Sequence, residues 1–145
     1  MGAAAGLAGD RFAVRNSGAT TVIEGCDSNG CEYMTGGMVV ILGEVGDNFA
    51  AGMTGGMAFV YDKSKEFEKK VNSESVLWQT IETKYWKNFL RELILEHLNE
   101  TNSKVSKLNI GYHSYRIYPT INYKTSKQHD DDKGKVSWAK RAELL

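Results

Sequence analysis

The chain is poor in the features that mark secreted and membrane-spanning proteins. Its 145 residues include two cysteines and one proline. Two cysteines are too few for the disulfide framework of a small secreted domain, and no apolar run approaches the roughly 20 residues that cross a bilayer. The first residues lack the basic and continuous apolar regions of a signal peptide. We therefore expect a cytoplasmic protein with no membrane partner.

The chain also lacks an overall charge of either sign. A formal net charge of zero leaves no general attraction to nucleic acid or to an anionic membrane. Charge and glycine are nevertheless unevenly distributed, because residues 1–62 carry two basic and seven acidic side chains and residues 63–145 carry the compensating excess of bases. Thirteen of the 15 glycines lie in the first 56 positions. The composition therefore predicts a boundary near Asp62.

A repeated pentapeptide dominates the glycine-rich half. Met-Thr-Gly-Gly-Met occurs at 34–38 and again at 53–57, 19 positions later, and Gly18 lies 19 positions before Gly37. A short apolar run follows each of these glycines, and repetition at about 20 residues is typical of a solenoid. Glycine suits the corners because it accepts positive φ and close backbone approach. The pattern predicts a parallel β-helix, with a small sandwich of β-hairpins as the alternative. The expected turn glycines are Gly18, Gly25, Gly37, Gly43, Gly52, Gly55 and Gly56.

Three longer motifs, at residues 12–19, 30–37 and 48–56, closely resemble the C-terminal GXGXG domain of the glutamate synthase large chain. The resemblance is dense over residues 3–62 and looser to about residue 103. It implies a mainly β fold: a single-stranded right-handed parallel β-helix, truncated to about three coils, followed by a C-terminal α-helical segment. It also implies that the sequence is a fragment of a longer chain.

In that family the domain is architectural, and it braces the amidotransferase and FMN synthase domains. The parent enzyme makes glutamate from glutamine and 2-oxoglutarate, with FMN, an iron–sulfur cluster and electrons from NADPH or ferredoxin. The resemblance thus implies a non-catalytic domain without a cofactor or metal of its own. Its expected partners are the other domains of the same large chain, the small glutamate synthase subunit, and further copies meeting at an open N-terminal coil.

Two other functions remain open at this point. One is a β-helix subunit of another oxidoreductase, such as formylmethanofuran dehydrogenase. The other is a stand-alone enzyme with its site in a groove of the solenoid, which requires polar residues that converge there. The glycine-rich segments do not indicate a phosphate site, because they lack the Gly-Lys-Ser/Thr ending of a P-loop and precede strands.

The sequence predicts three regions: β-helix coils over 1–62, a linker and amphipathic helix over 63–103, and a divergent, partly disordered tail over 104–145. Residues 76–81 and 111–119 are strand-prone. A helix is predicted from Lys84 to Asn99, capped by Thr83, and a second short helix over 104–108. The apolar face of the long helix comprises Tyr85, Phe89, Leu90, Leu93, Ile94, His97 and Leu98.

Few side chains suggest chemistry. Cys26 and Cys31 are interpreted as buried reduced thiols, and the histidines at 97, 113 and 129 are scattered. Arg15 is expected to pair with Glu32 or Glu24 of a neighbouring coil, or to face a partner domain. Asn16 is expected to stack on an equivalent amide of the next coil.

Overall fold

A computed structural model describes residues 2–102 and 114–120, and there the chain forms a mixed α/β structure. Its centre is a six-stranded mixed sheet with the strand order β1-β2-β3-β4-β6-β5. One long helix covers part of the sheet. The strands are β1 (Gly2–Ala3), β2 (Ser17–Ile23), β3 (Thr35–Ile41), β4 (Gly55–Tyr61), β5 (Val76–Thr80) and β6 (Ser114–Pro119); the helices are α1 (Phe67–Lys70) and α2 (Lys84–Thr101).

Strands β1 to β4 are parallel and adjacent in chain order. Met38 pairs with Met57 and Val40 with Phe59, so the two copies of the repeated pentapeptide stack at the 19-residue step that the sequence shows. Parallel neighbours usually need a helical crossover. Here the connections are three turn-rich arcs, arc 1 (10–16), arc 2 (28–34) and arc 3 (47–53).

The arcs also stack on one another. The backbone N–H of Arg15 donates to Glu32 O (2.9 Å), and that of Tyr33 donates to Ala51 O (2.8 Å). Backbone hydrogen bonding between successive repeats therefore continues beyond the strands into the connections. Left-handed residues recur in three columns along the arcs: 11/29/48, 13/31/50 and 15/33/52.

Alternating side chains divide the parallel strands between two cores. Val39, Ile41 and Val60 face the arcs, where they pack with Phe49 and Met34. The side chains that alternate with them face helix α2. This second core contains Val22, Met38, Val40, Leu42, Met57, Phe59, Trp86, Leu90, Ile94 and Tyr118. Coverage of both faces explains the nearly continuous apolar runs of β3 and β4.

The C-terminal part of the sheet departs from the sequence-based expectation. The prediction of a strand within residues 111–119 is confirmed by β6. This strand, however, lies between β4 and β5 and is antiparallel to both. A segment expected within a divergent tail thus contributes five buried positions, residues 114 and 116–119. The described chain is mixed α/β, where the sequence predicted mainly β.

Helix α2 is confirmed, with its predicted cap. The Thr83 side chain accepts a hydrogen bond from Trp86 N (3.4 Å), and Asn102 ends the helix in the left-handed region at φ 54°. The buried face, however, is Trp86, Leu90, Ile94 and His97. The predicted face missed Trp86 and included Tyr85, Phe89, Leu93 and Leu98, which are only half-buried.

The segment expected as a charged linker contains the short helix α1. Asp62 Oδ1 accepts hydrogen bonds from the backbone N–H groups of Glu66 and Phe67, both at 3.1 Å. The Phe67 side chain is buried against Phe49, with ring centroids 5.9 Å apart. The predicted second helix at 104–108 lies outside the described residues, as does the segment 121–145.

Candidate functional site

The expected glycine column is present at the corner where each arc enters a strand. Gly37 and Gly56 have φ of 86° and 78°. A Cβ atom added at Gly37 would lie 2.9 Å from Gly18 C, and one added at Gly56 would lie 2.8 Å from Gly37 O. The three glycines therefore stack directly. Gly18 differs from the other two, because a Cβ atom there would meet nothing within 4 Å.

Three of the remaining predicted turn glycines lie at other close approaches. Added Cβ atoms would meet Leu7 and the Glu44 carbonyl at Gly25, the Glu24 carbonyl at Gly43, and the Tyr33 ring at Gly52. Gly55 pairs with Thr35. The predicted list of turn glycines omitted Gly36 and Gly46, whose added Cβ atoms would collide with the backbone of Ser17 and of Ser28. The 19-residue offset from Asp27 to Gly46 is the signal that could have identified the latter.

A ladder of three asparagines runs along the outer edge of the arcs. Asn48 Nδ2 donates to Asn29 Oδ1 (3.3 Å), and Asn72 Nδ2 donates to Asn48 Oδ1 (3.0 Å). Asn29 and Asn48 have φ of 61° and 58°, a conformation that asparagine tolerates better than most residues. The predicted stacking of amides between coils therefore occurs here and not at Asn16.

We expect Asn48→Ala to lower the free energy of unfolding by about 2 kcal/mol. It removes two side-chain hydrogen bonds at about 0.5–1.5 kcal/mol each and places alanine at positive φ. Asn48→Gly removes the same bonds but tolerates the backbone, so it should cost less. Urea unfolding of the two variants measures the difference, and equal losses would contradict the backbone contribution.

A backbone hydrogen bond joins Arg15 to Glu32 of the neighbouring arc, and Asn16 follows Arg15 in arc 1. Asn16 uses its amide locally, since Nδ2 donates to Ala19 O (2.9 Å) and Oδ1 accepts from Ala19 N (3.1 Å). Arg15 is exposed, at φ 57°. The ion pair expected between Arg15 and Glu32 or Glu24 is not formed within residues 2–102 and 114–120, where Lys69 and Glu66 do form one (2.9 Å).

The two cysteines are free thiols in the core beneath arc 2. Burial raises the pKa of Cys26 to about 11, with a smaller contribution from nearby Asp27, and burial also raises the pKa of Cys31. The reactive form of a cysteine is the thiolate. Neither thiol is therefore poised as a nucleophile at neutral pH.

We expect both thiols to resist alkylation by iodoacetamide at pH 8 in the folded chain and to react once it is unfolded in urea. The thiolate is scarce at this pH because both pKa values lie above that of a free cysteine. Intact-mass spectrometry counts the modified sites. Rapid modification of either thiol under native conditions would contradict this burial.

A buried cation, which no sequence pattern predicted, lies on the other face of the sheet. The Arg116 guanidinium is 4.8 Å from the ring centroids of both Trp86 and Tyr118, and its Nη1 is 3.8 Å from Met57 Sδ. Arg116 thus links β6, β4 and α2. Such stacking on two aromatic faces favours arginine over lysine.

Within 2–102 and 114–120, no group of three or more His, Cys, Asp or Glu side chains is arranged to hold a metal ion. No helix in that part of the chain is long and apolar enough to span a bilayer. His113 and His129 lie outside it.

Comparison with known proteins places the chain among segments of much larger ones. It is 64% identical over 101 residues to the glutamate synthase (NADPH) large chain of Azospirillum brasilense, covering 70% of this chain and 7% of the relative. It is 54% identical over 101 residues to glutamate synthase (NADH) of Schizosaccharomyces pombe, covering 70% and 5%. The chloroplastic ferredoxin-dependent glutamate synthase of Spinacia oleracea is 51% identical over 98 residues, covering 68% and 6%.

The chain therefore spans only a small part of these relatives. The GXGXG motif family model matches residues 3–117, which include every described strand after β1 except the last two residues of β6. Since this match covers more than half of the chain, the chain belongs to the GXGXG motif family.

Proposed function

We propose that the parallel strands and their arcs form a right-handed, single-stranded parallel β-helix of about three coils, over residues 1–62. The backbone bonds from arc to arc support it, as does the parallel bridge from Ala8 to Cys26. Parallel crossovers within a sheet are right-handed in about 98% of cases. Residues 63–103 then act as linker and packing helix, and residues 104–145 as a C-terminal segment that adds β6.

We further propose that this unit is a non-catalytic structural domain of a glutamate synthase large chain. It would brace the amidotransferase and FMN synthase domains of an oxidoreductase that makes glutamate from glutamine and 2-oxoglutarate. The observation that carries the proposal is the 64% identity to such a large chain. The electron donor stays open, because the relatives include NADH-, NADPH- and ferredoxin-dependent enzymes.

The local chemistry supports a bracing role. The cysteines are buried with raised pKa values, the asparagines bond to one another, and Arg116 stacks between two rings. These groups serve the packing of the domain. We propose FMN and the iron–sulfur cluster as cofactors of the parent enzyme, bound outside this chain. The proposed partners are the other domains of the same large chain, the small subunit, and a second copy at the open N-terminal coil.

A graft into a relative tests this role. The matching segment of the Azospirillum brasilense large chain is replaced by residues 3–103 of this chain, and both glutaminase activity and glutamate formation are measured. We expect both activities to be retained. We also expect Arg15→Ala and Glu32→Ala in the graft to leave kcat of both half-reactions unchanged.

The same graft carries a disruptive control. Gly52→Val places a branched side chain at φ 68° beneath the Tyr33 ring, so it should disturb arc 3 and reduce assembly of the large chain. Size-exclusion chromatography reports the assembly. Loss of chemistry in Arg15→Ala or Glu32→Ala with assembly intact would refute the non-catalytic role.

A further inference from the structure

Helix α2 buries a histidine whose ring has no polar partner. His97 has 0% exposure, and neither Nδ1 nor Nε2 makes a hydrogen bond. A buried donor or acceptor without a partner is costly. The neutral ring leaves one N–H and one lone pair unsatisfied, whereas the imidazolium would leave two N–H groups and a charge. This position therefore tolerates the neutral ring far better than the protonated one.

His97 lies in the half of α2 that covers the first strands of the sheet. The start of α2 packs on β4, since the Trp86 and Phe59 ring centroids are 5.7 Å apart. The helix also contacts β1 and β2. Its C-terminal half, which carries Ile94 and His97, therefore covers the beginning of the parallel sheet, where Val22 is fully buried in the same core.

Two carboxylates act on the ring. Glu24, immediately after β2, and Glu100, on α2 itself, each favour the charged imidazole, and β1 (Gly2–Ala3) carries no titratable side chain. Glu24 Oε2 also accepts a hydrogen bond from Gly6 N (2.6 Å). Desolvation nevertheless outweighs both carboxylates, and the pKa of His97 lies below its ordinary value of 6.5.

We propose that His97 makes the docking of the C-terminal half of α2 onto β1 and β2 sensitive to pH. The neutral ring fits the dry interface, and a proton drives the helix end away from the sheet. The released helix would bind protons with the ordinary pKa of 6.5, so it holds more protons than the docked one. Docking is therefore strongest above pH 6.5 and weakens as pH falls toward the lowered pKa. The proposal concerns packing within the chain and is independent of the bracing role.

Hydrogen exchange measured on the whole chain tests whether the docking of α2 depends on the protonation of His97. Amide protection is measured between pH 7.5 and 5.0 and corrected for intrinsic exchange. We expect protection of residues 93–101 to fall by up to about tenfold per pH unit below 6.5, while β3 and β4 keep theirs. His97→Phe keeps an aromatic ring without a proton site, so its protection should be independent of pH. The same fall in wild type and His97→Phe, or no fall in either, would overturn the proposal.

A second measurement does not depend on the variant. The His97 ring is titrated by NMR in the wild-type chain, with His113→Gln and His129→Gln used to assign the signals. A His97 pKa below 6.5 supports the pH-dependent docking of α2, and a His97 pKa at or above 6.5 overturns it. Glu24→Gln removes one of the two attracting carboxylates, so the pKa of His97 in the docked chain should move further below 6.5. A shift toward higher pH would contradict the assigned balance.

Discussion

Gly56→Ala is expected to lower the free energy of unfolding by about 3 kcal/mol. The left-handed conformation at φ 78° costs an alanine about 1–2 kcal/mol. The new Cβ atom would also lie 2.8 Å from Gly36 C and Gly37 O. These are backbone atoms of the neighbouring repeat, which cannot rotate away, and such overpacking typically costs about 1–3 kcal/mol. Urea unfolding followed by circular dichroism measures the loss.

Gly18→Ala is the matched control for this substitution. Gly18 lies in the same column, but it has no positive φ and open space around its Cα. Alanine in a strand should cost nothing there and should gain up to about 1 kcal/mol relative to glycine. If both substitutions lowered the free energy of unfolding by similar amounts, glycine would be needed at these corners only for its backbone flexibility. The close stacking of Gly56 on the neighbouring repeat would then not account for the loss.

Trp86→Ala is expected to cost about 3–5 kcal/mol, the range for a large buried aromatic side chain replaced by alanine. Trp86 is 2% exposed. Its ring packs on Phe59 and Phe89, with centroids 5.7 and 5.5 Å away, and supports the Arg116 guanidinium. The variant leaves a cavity between helix and sheet and removes one of the two rings that stabilise a buried charge. Thermal and urea unfolding both report the loss.

Leu95→Ala is the control on the same helix. Leu95 is 45% exposed, and alanine has the higher helix propensity, so the change in stability should stay within about 0.5 kcal/mol. If Trp86→Ala lowered the free energy of unfolding as little as is expected for Leu95→Ala, α2 would contribute little to the stability of the fold. A large loss for Leu95→Ala would show instead that the outer face of α2 is packed.

The parallel part of the fold could be predicted because its determinants are local and repeated. The Met-Thr-Gly-Gly-Met copies give the 19-residue step, and Met38 does pair with Met57. The Thr83 cap and the start of α2 followed from short-range signals of the same kind. The resemblance to the glutamate synthase domain rests on these segments as well, and the family match includes them.

The interior face of α2 was harder to predict, because periodicity defines a stripe but not which edge of it meets the sheet. Tyr85 and Phe89 are as apolar as Trp86, and only the position of Phe59 and Arg116 decides that Trp86 is the buried ring. The asparagine ladder was likewise anticipated in kind but assigned to Asn16, whose amide binds its own turn. The choice depends on which amides the arcs bring to hydrogen-bond distance.

By itself, the sequence determined that strands and corners repeat at a step of about 19 residues. That regularity is visible in the spacing of the glycines, whose backbone requirements are local. Tertiary structure alone decided that residues 114–119 close the sheet between β4 and β5, that Arg116 is buried among aromatic rings, and that His97 lies in a dry interface. These three features join segments far apart in the chain. Their energies depend on burial and on the partner surface, and no spacing within a single segment encodes either.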